Sequence, residues 1–64
     1  MKVKIKIFKT KSDFENGTSN GEITKESIGE AIKYCRDECK GASDFIGFRI
    51  ETLKGELKHK LHNE

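Results

Sequence analysis

The stretch that decides the fold is KVKIKIFK, residues 2–9, in which lysines and apolar residues alternate. In an extended chain Val3, Ile5 and Ile7 would point to one side. The other side would carry Lys2, Lys4, Lys6 and Phe8. This period of two predicts a β-strand with one buried face. The sheet built on this strand should therefore have one apolar face and one cationic face.

A second alternating segment lies near the C-terminus and reads FIGFRIETL, residues 45–53. Its apolar side chains at Ile46, Phe48 and Ile50 share one face, which predicts another half-buried strand. Lys-Gly at positions 54–55 suits a two-residue turn, because glycine tolerates positive φ. The chain is therefore expected to double back at this point.

The last segment, ELKHKLH at residues 56–62, supports two interpretations. As a third strand it would place Leu57, His59 and Leu61 inward. As a helix over residues 53–62 it would place its leucines on one stripe, and Glu, Leu and Lys favour helix. The glycine inside that stretch and the strand before it favour the hairpin, so we predict a strand.

Residues 25–40 carry the pattern of an amphipathic helix. Thr24 is a suitable N-cap residue, and Gly41 suits the position after the helix end. Wound at about 100° per residue, the apolar side chains fall in one sector about 100° wide. That sector comprises Ile28, Ala31, Ile32, Cys35 and Cys39. This helix is expected to cover the apolar face of the sheet.

Residues 11–23, KSDFENGTSNGEI, show neither period. Their two Asn-Gly pairs are typical of tight turns, but the alternating flanks that a hairpin needs are missing. We predict a long flexible loop here, with at most a short extended piece near residues 13–15. A loop of this length in a small domain often carries function, and a tolerated surface excursion is the alternative.

These elements predict a single small α+β domain over residues 1–64, with the order β-α-β-β and one helix on one face of a three-stranded sheet. We expect an antiparallel sheet of order 1-3-2, because antiparallel sheets tolerate a solvent-exposed face. A parallel pair of strands one and two, joined by a right-handed crossover, is the alternative. The predicted core comprises Val3, Ile5, Ile7, Ile28, Ala31, Ile32, Cys35, Cys39, Ile46, Phe48, Ile50, Leu57 and Leu61.

Length and composition narrow the classes of function. The chain has 64 residues, of which 33% are apolar and 38% charged, with a net charge of +2. So small a core leaves a thin margin of stability, which a homodimer formed through a sheet edge or the open face would increase. No apolar run reaches the roughly 18 residues of a membrane span, and lysines interrupt the N-terminal apolar residues. We expect a cytoplasmic protein that does not contact a membrane.

The most specific feature is the cationic face of the predicted sheet. Six basic residues would share it with Glu51, Glu56 and one aromatic residue, Phe8. The six are Lys2, Lys4, Lys6, Arg49, Lys58 and Lys60. Such a surface suits an acidic protein or a phosphate backbone, although sheets that bind single strands use two or three stacking aromatic residues. A solvated face whose lysines protect a sheet edge from aggregation is the alternative.

Cysteine and histidine residues form one further candidate site. Cys35, Cys39, His59 and His62 are ligand types that suit tetrahedral zinc. Both cysteines, however, lie in the centre of the apolar helix sector, and on a strand the two histidines would face opposite sides. On a helix the cysteine Cβ atoms would lie about 5–6 Å apart, which exceeds the roughly 3.5–4.5 Å of a disulfide. We therefore expect two reduced thiols and no bound metal or other cofactor.

Catalytic motifs find no match in the chain. It contains no G-x-S-x-G, no P-loop and no G-x-G-x-x-G pattern. We expect a small non-enzymatic interaction or regulatory protein that binds a protein partner through the cationic face, residues 11–23, or both. Direct binding of nucleic acid by the same face is the alternative function.

Overall fold

The fold is an antiparallel sheet with helices on both faces. The computed structural model describes residues 1–63. In chain order its elements are β1 (Val3–Phe8), α1 (Lys11–Asn16), β2 (Gly21–Lys25), α2 (Ile28–Gly41), β3 (Gly47–Thr52) and β4 (Leu57–His62). The sheet has the strand order β2-β1-β3-β4, and each neighbouring pair is antiparallel.

The α+β class and the C-terminal hairpin are confirmed, and the helical alternative for residues 53–62 is wrong. The predicted number of strands and the order 1-3-2 are also wrong, because Gly21–Lys25 forms a strand that the sequence pattern did not show. This strand reverses the chain before α2 begins, so β3 returns antiparallel to β1 and pairs with it directly. β1 therefore lies in the interior of the sheet.

Residues 11–23 are ordered by local caps, and the prediction of an unstructured loop is wrong. The hydroxyl of Thr10 accepts a hydrogen bond from the Asp13 N–H at 3.1 Å, which starts α1. Gly17 ends the helix with φ of 78°, a conformation that favours glycine. The Asn20 side chain then accepts from the Lys9 N–H at 2.8 Å, which fastens the return to β2 beside the end of β1.

One face of the sheet packs on α2 and forms the core. Its fully buried side chains come from β1, β3 and α2, namely Val3, Ile5, Phe48, Ile50, Ala31 and Cys35. The helix starts after Ser27, whose hydroxyl accepts from the Glu30 N–H at 3.3 Å, and not after Thr24 as predicted. No helix within residues 1–63 is long and apolar enough to cross a membrane.

Two residues of the predicted core are exposed instead. Ile28, 39% exposed, is the first residue of α2 and lies at the margin of the core. Leu57 is 45% exposed, because a shift of register between Ile50 and Glu51 pairs it with Glu51. A shift of one residue moves a side chain to the opposite face of a strand. Leu57 therefore shares a face with Glu51 and lies away from the core.

The opposite face of the sheet is covered at one end by α1. The Phe14 ring of this helix lies with its centroid 5.5 Å from that of Phe8, in an edge-to-face arrangement. It also lies directly over Gly47, where an added Cβ would come within 2.6 Å of the Phe14 ring. Glycine is thus required at this position of β3 for α1 to approach the sheet so closely.

Candidate interaction surface

The centre of the cationic face is neutralised by two glutamates. The Lys4 ammonium lies 3.6 Å from the Glu22 carboxylate. Glu51, only 5% exposed, contacts both Lys6 at 3.4 Å and the Arg49 Nε at 3.5 Å. The Arg49 Nε is buried and has no hydrogen-bond partner within residues 1–63, so its contact with Glu51 is ionic.

Phe8 does not lie where the sequence placed it for binding. We expected an exposed aromatic at the end of the cationic face, but Phe8 is fully buried beneath the Phe14 ring. The period of two puts Phe8 on the correct face, and α1, which the sequence pattern did not predict, then covers it. Phe8 is therefore a packing residue that offers no surface to a stacked base.

The remaining predicted cations lie toward β4 and are less tightly engaged. Lys58 lies 3.9 Å from Glu56, and both side chains are exposed, which is the weakest arrangement of an ion pair. The Lys60 ammonium lies 6.0 Å from the centre of the Phe14 ring, at the outer limit of a cation–π contact. Lys2 lines a groove beside the turn between β3 and β4. These three cations are the most accessible part of the predicted site.

The groove at this turn has a volume of about 310 Å³ and combines apolar and cationic side chains. Met1 is 82% and Leu53 56% exposed. We name this surface the hairpin patch; it comprises Met1, Lys2, Leu53, Lys54 and Lys58, which all line the groove. Two of the four large apolar residues exposed within residues 1–63 belong to it, the others being Ile28 and Leu57.

The hairpin patch was only partly visible in the sequence. Lys2 and Lys58 were predicted as binding residues, whereas Met1, Leu53 and Lys54 were not. Leu53 follows the last residue of β3, where the alternation of the strand no longer fixes the direction of a side chain. The position of Leu53 directly before the Lys54-Gly55 turn could have indicated its exposure, because a residue at a turn has no strand neighbour to bury it.

The four candidate metal ligands are not brought together. Cys35 and Cys39 lie on α2 against the core. His59 pairs with Ile50, and His62 pairs with Gly47. These two partners on β3 face opposite sides of the sheet, so the two histidines do as well. Within residues 1–63 no three His, Cys, Asp or Glu side chains converge as a metal site would require.

The two thiols are also poor nucleophiles. Desolvation, and to a lesser degree the charges of Cys39 and Glu38, raises the pKa of Cys35 from 9.0 to about 12. Desolvation, followed by the charge of Glu38, raises the pKa of Cys39 as well. Because the thiolate is the reactive form, the raised pKa values disfavour reaction of both side chains at neutral pH.

Comparison with known proteins gives no information about function. No protein-family model, curated protein or solved structure matches the chain.

Proposed function

We propose that the protein is a small non-enzymatic interaction protein whose hairpin patch binds an acidic, partly apolar segment of a partner protein. The observation that carries this proposal is the gathering of the exposed Met1 and Leu53 among three lysines in one groove. Exposed apolar residues that occur singly need no explanation, but a cluster rimmed by charges is typical of an interaction site. One acidic residue, Glu56, lies among them.

The lysines and the apolar residues of the patch would have different tasks. Burial of Met1 and Leu53 against a partner would supply favourable free energy, at about 25 cal/mol per Å² of apolar surface. Lys2, Lys54 and Lys58 would raise the rate of association and select acidic partners. This division favours a partner segment that carries both carboxylates and apolar side chains.

The centre of the cationic face is a poorer candidate than the hairpin patch. Lys6 and Arg49 already share the buried carboxylate of Glu51, and Lys4 is paired with Glu22. A partner anion would have to compete with these internal carboxylates and would gain little net charge attraction. A partner anion would meet less competition from internal carboxylates at the cations toward β4, namely Lys2, Lys58 and Lys60.

A non-enzymatic role is supported by the fate of the reactive side chains. Both cysteines are packed against the core with raised pKa values, which leaves their thiols protonated. The groove of the hairpin patch is lined by lysines, Thr52, Glu56 and apolar residues, and no cysteine or histidine lines it. Such a lining suits recognition better than proton transfer or nucleophilic attack.

Binding of nucleic acid stays the alternative function, and it loses the aromatic residue on which stacking would depend. Phe8 is buried, so the cationic face offers ammonium groups and no exposed ring from that position. Proteins that bind single-stranded nucleic acid usually combine cationic groups with exposed aromatic rings. We therefore treat nucleic acid as a competing outcome of the test.

The test is a selection of random peptides on the immobilised full-length protein. Selected peptides should combine Asp or Glu with apolar residues, and Leu53→Asp or Lys54→Glu should weaken their binding by at least about tenfold. Lys33→Glu is the matched control, since it makes the same change of charge at an exposed position of α2. This control should leave the affinity within about twofold, because Lys33 lines a different groove, beside Lys25 and Tyr34, and not the hairpin patch.

Two results would contradict the proposal. Selected peptides that bind Leu53→Asp and Lys54→Glu as tightly as the unmodified protein would place the site elsewhere. Salt-sensitive binding of mixed-sequence DNA or RNA, weakened by Lys58→Glu and accompanied by no selected acidic peptide, would establish the alternative function instead.

A further inference from the structure

We infer that β4 accepts an extended acidic segment as a fifth strand of the sheet. The inference rests on the proposed function, because the added strand would belong to the same acidic partner that contacts the hairpin patch. Strand addition uses main-chain hydrogen bonds for affinity and alternate side chains for specificity. It would convert the turn between β3 and β4 from a binding surface into one end of a longer binding track.

β4 has the position and exposure that strand addition requires. It is an edge of the sheet, paired only with β3 among the described strands. Of its six residues, Leu61 alone is partly buried and the others are exposed. The Phe14 and Phe45 rings contact His62 at one end of this edge, and most of the other side chains along it are exposed.

The outward main-chain groups of β4 follow from its pairing. The Asn63 N–H donates to the Ile46 carbonyl at 3.1 Å, so the backbone of residue 63 points toward β3. Successive residues of an antiparallel strand direct their backbone groups alternately toward and away from the neighbour. Leu61 therefore points toward β3 like Asn63, and Lys60 directs its N–H and C=O away from the sheet, where an added strand would bind them.

The two edges of the sheet differ in charge. β2, the other edge, carries one acid and one base, and both are already engaged. Glu22 pairs with Lys4 at 3.6 Å, and the Lys25 ammonium lies 4.7 Å from the centre of the Tyr34 ring. β4 carries two lysines and two histidines and no acid, and the one ion pair of its lysines, Lys58 with Glu56 at 3.9 Å, is solvent-exposed. An acidic strand is thus complementary to β4 and not to β2.

The same charges argue against a second copy of this chain as the occupant. An antiparallel pair of β4 strands would bring two copies of Lys58 and two of Lys60 into one ladder. Like charges that face each other across strands are destabilising, and edge lysines are a common means of preventing self-association. An acidic strand would turn this repulsion into attraction.

The regular part of the edge sets the length of the segment. Pairing with β3 is regular from His59 to His62 and shifts between Ile50 and Glu51. A bulge of this kind bends a strand and interrupts its ladder. The added segment should therefore form regular pairs over about four residues, or roughly 13 Å.

The experiment compares two labelled peptides of identical side chains, about eight residues long and alternating Glu with Val. One has ordinary amides; the other is N-methylated at every backbone nitrogen and so lacks donors. Fluorescence anisotropy with the full-length protein should show at least about tenfold weaker binding for the methylated peptide. Lys60→Glu should weaken binding of the ordinary peptide by a similar factor, and Lys33→Glu should not.

Amide hydrogen exchange supplies the readout that is specific for strand addition. The ordinary peptide should slow exchange of the Lys60 amide by about tenfold or more, because that amide becomes hydrogen-bonded only in the complex. The Leu61 amide, directed toward β3, should change far less and serves as the internal control.

Strand addition and the proposed function can fail separately. Equal binding of both peptides, with no slowing at Lys60, would overturn strand addition and leave charge-driven binding at the hairpin patch intact. Failure of both peptides to bind would also overturn strand addition. The proposed function would be lost with it only if the selection of random peptides yielded no acidic sequence.

Discussion

The two faces of the sheet are covered in different ways. The fully buried side chains of the face beneath α2 are all apolar, whereas the opposite face is covered partly by a helix and partly by ion pairs. At one end of that opposite face α1 places Phe14 over Phe8 and Gly47. Along its centre a single buried carboxylate, Glu51, neutralises Lys6 and Arg49. Most of the large apolar residues thus lie on one face, and the other is covered by the packing of Phe14 on Phe8 and by a few ion pairs.

The difference between the two faces of the sheet is the reason why we expect binding beside β4. The face beneath α2 is filled, and the centre and one end of the opposite face are satisfied internally. Exposed apolar residues and loosely paired cations remain at the turn between β3 and β4. Two sets of substitutions and one pH titration test whether the two faces are covered differently. They follow from the largest expected effect to the smallest.

The largest effect is expected in the core of the face beneath α2. Phe48→Ala should lower the free energy of unfolding by about 3–5 kcal/mol, because it removes a fully buried ring and leaves a cavity. Urea denaturation followed by far-ultraviolet circular dichroism measures this change. Leu53→Ala, at an exposed apolar position, should change the free energy by no more than about 0.5 kcal/mol.

A loss of that size can unfold so small a domain altogether. Ile50→Val then keeps the comparison measurable, with an expected loss of about 0.5–1.5 kcal/mol. Equal losses for Ile50→Val and Leu53→Ala would show that the face beneath α2 is not the core.

The second effect is expected at the end of the sheet covered by α1. In Gly47→Ala the added Cβ would meet the Phe14 ring at 2.6 Å, so the ring and α1 must shift, at a cost of about 1–3 kcal/mol. In a chain that already carries Phe14→Ala, the same change at Gly47 should cost at least about 1 kcal/mol less. The double-mutant cycle is measured by urea denaturation. Equal costs in the two backgrounds would mean that Phe14 does not rest on Gly47.

The third and smallest effect is a dependence on pH at the face beneath α2. Burial raises the pKa of Cys35 from 9.0 to about 12, so above pH 9 its thiol ionises in the unfolded chain before it does in the folded one. The unfolded state then binds fewer protons, and stability must fall as the pH rises from about 9 toward about 12. At pH of about 9.5 the loss should be about 1 kcal/mol.

Cys35→Ala separates this loss from the titration of other groups. The difference in free energy of unfolding between the unmodified protein and Cys35→Ala should narrow as the pH rises from about 8 to about 10, because the variant has lost this titration. Chemical denaturation at each pH measures that difference. A constant difference would show that the thiol is not desolvated by folding.

The sequence predicts the elements that have a strong hydrophobic period. β1, β3 and α2 each carry several apolar residues at the correct spacing, and burial of those residues on one face enforces the structure. β2 was missed because Ile23 is its one apolar residue, and an edge strand of five residues contributes little to the core. Its omission alone produced the wrong strand order.

α1 was missed for a similar reason, although a signal for it exists. Its six residues contain a single apolar side chain, Phe14, so no period can develop. The caps are nevertheless present in the sequence, with Thr10 three residues before Asp13 and Gly17 directly after the helix. Capping residues, read together with one aromatic residue, would have indicated a short helix.

The placement of the basic residues of β1 and β3 on one face was predicted, and the pairing of their charges was not. The alternation of β1 and β3 correctly places Lys4, Lys6 and Arg49 on one face. Their pairing with Glu22 and Glu51 depends on strand order and register, which no local pattern contains. The same holds for Leu57, whose exposure follows from a shift of register and not from its own residue type.

The interior position of β1 has a consequence for synthesis on the ribosome. β1 emerges before β2 and β3 and can pair early with β2, but its other side must wait for β3, which begins 39 positions after β1 ends. Until then the nascent polypeptide exposes an unpaired, strand-forming edge, which is the usual starting point for aggregation. Lysine at every second position of that edge acts as a gatekeeper during this interval. The ammonium groups on β1 would thus protect the chain before it is folded, independently of any partner that the finished protein binds.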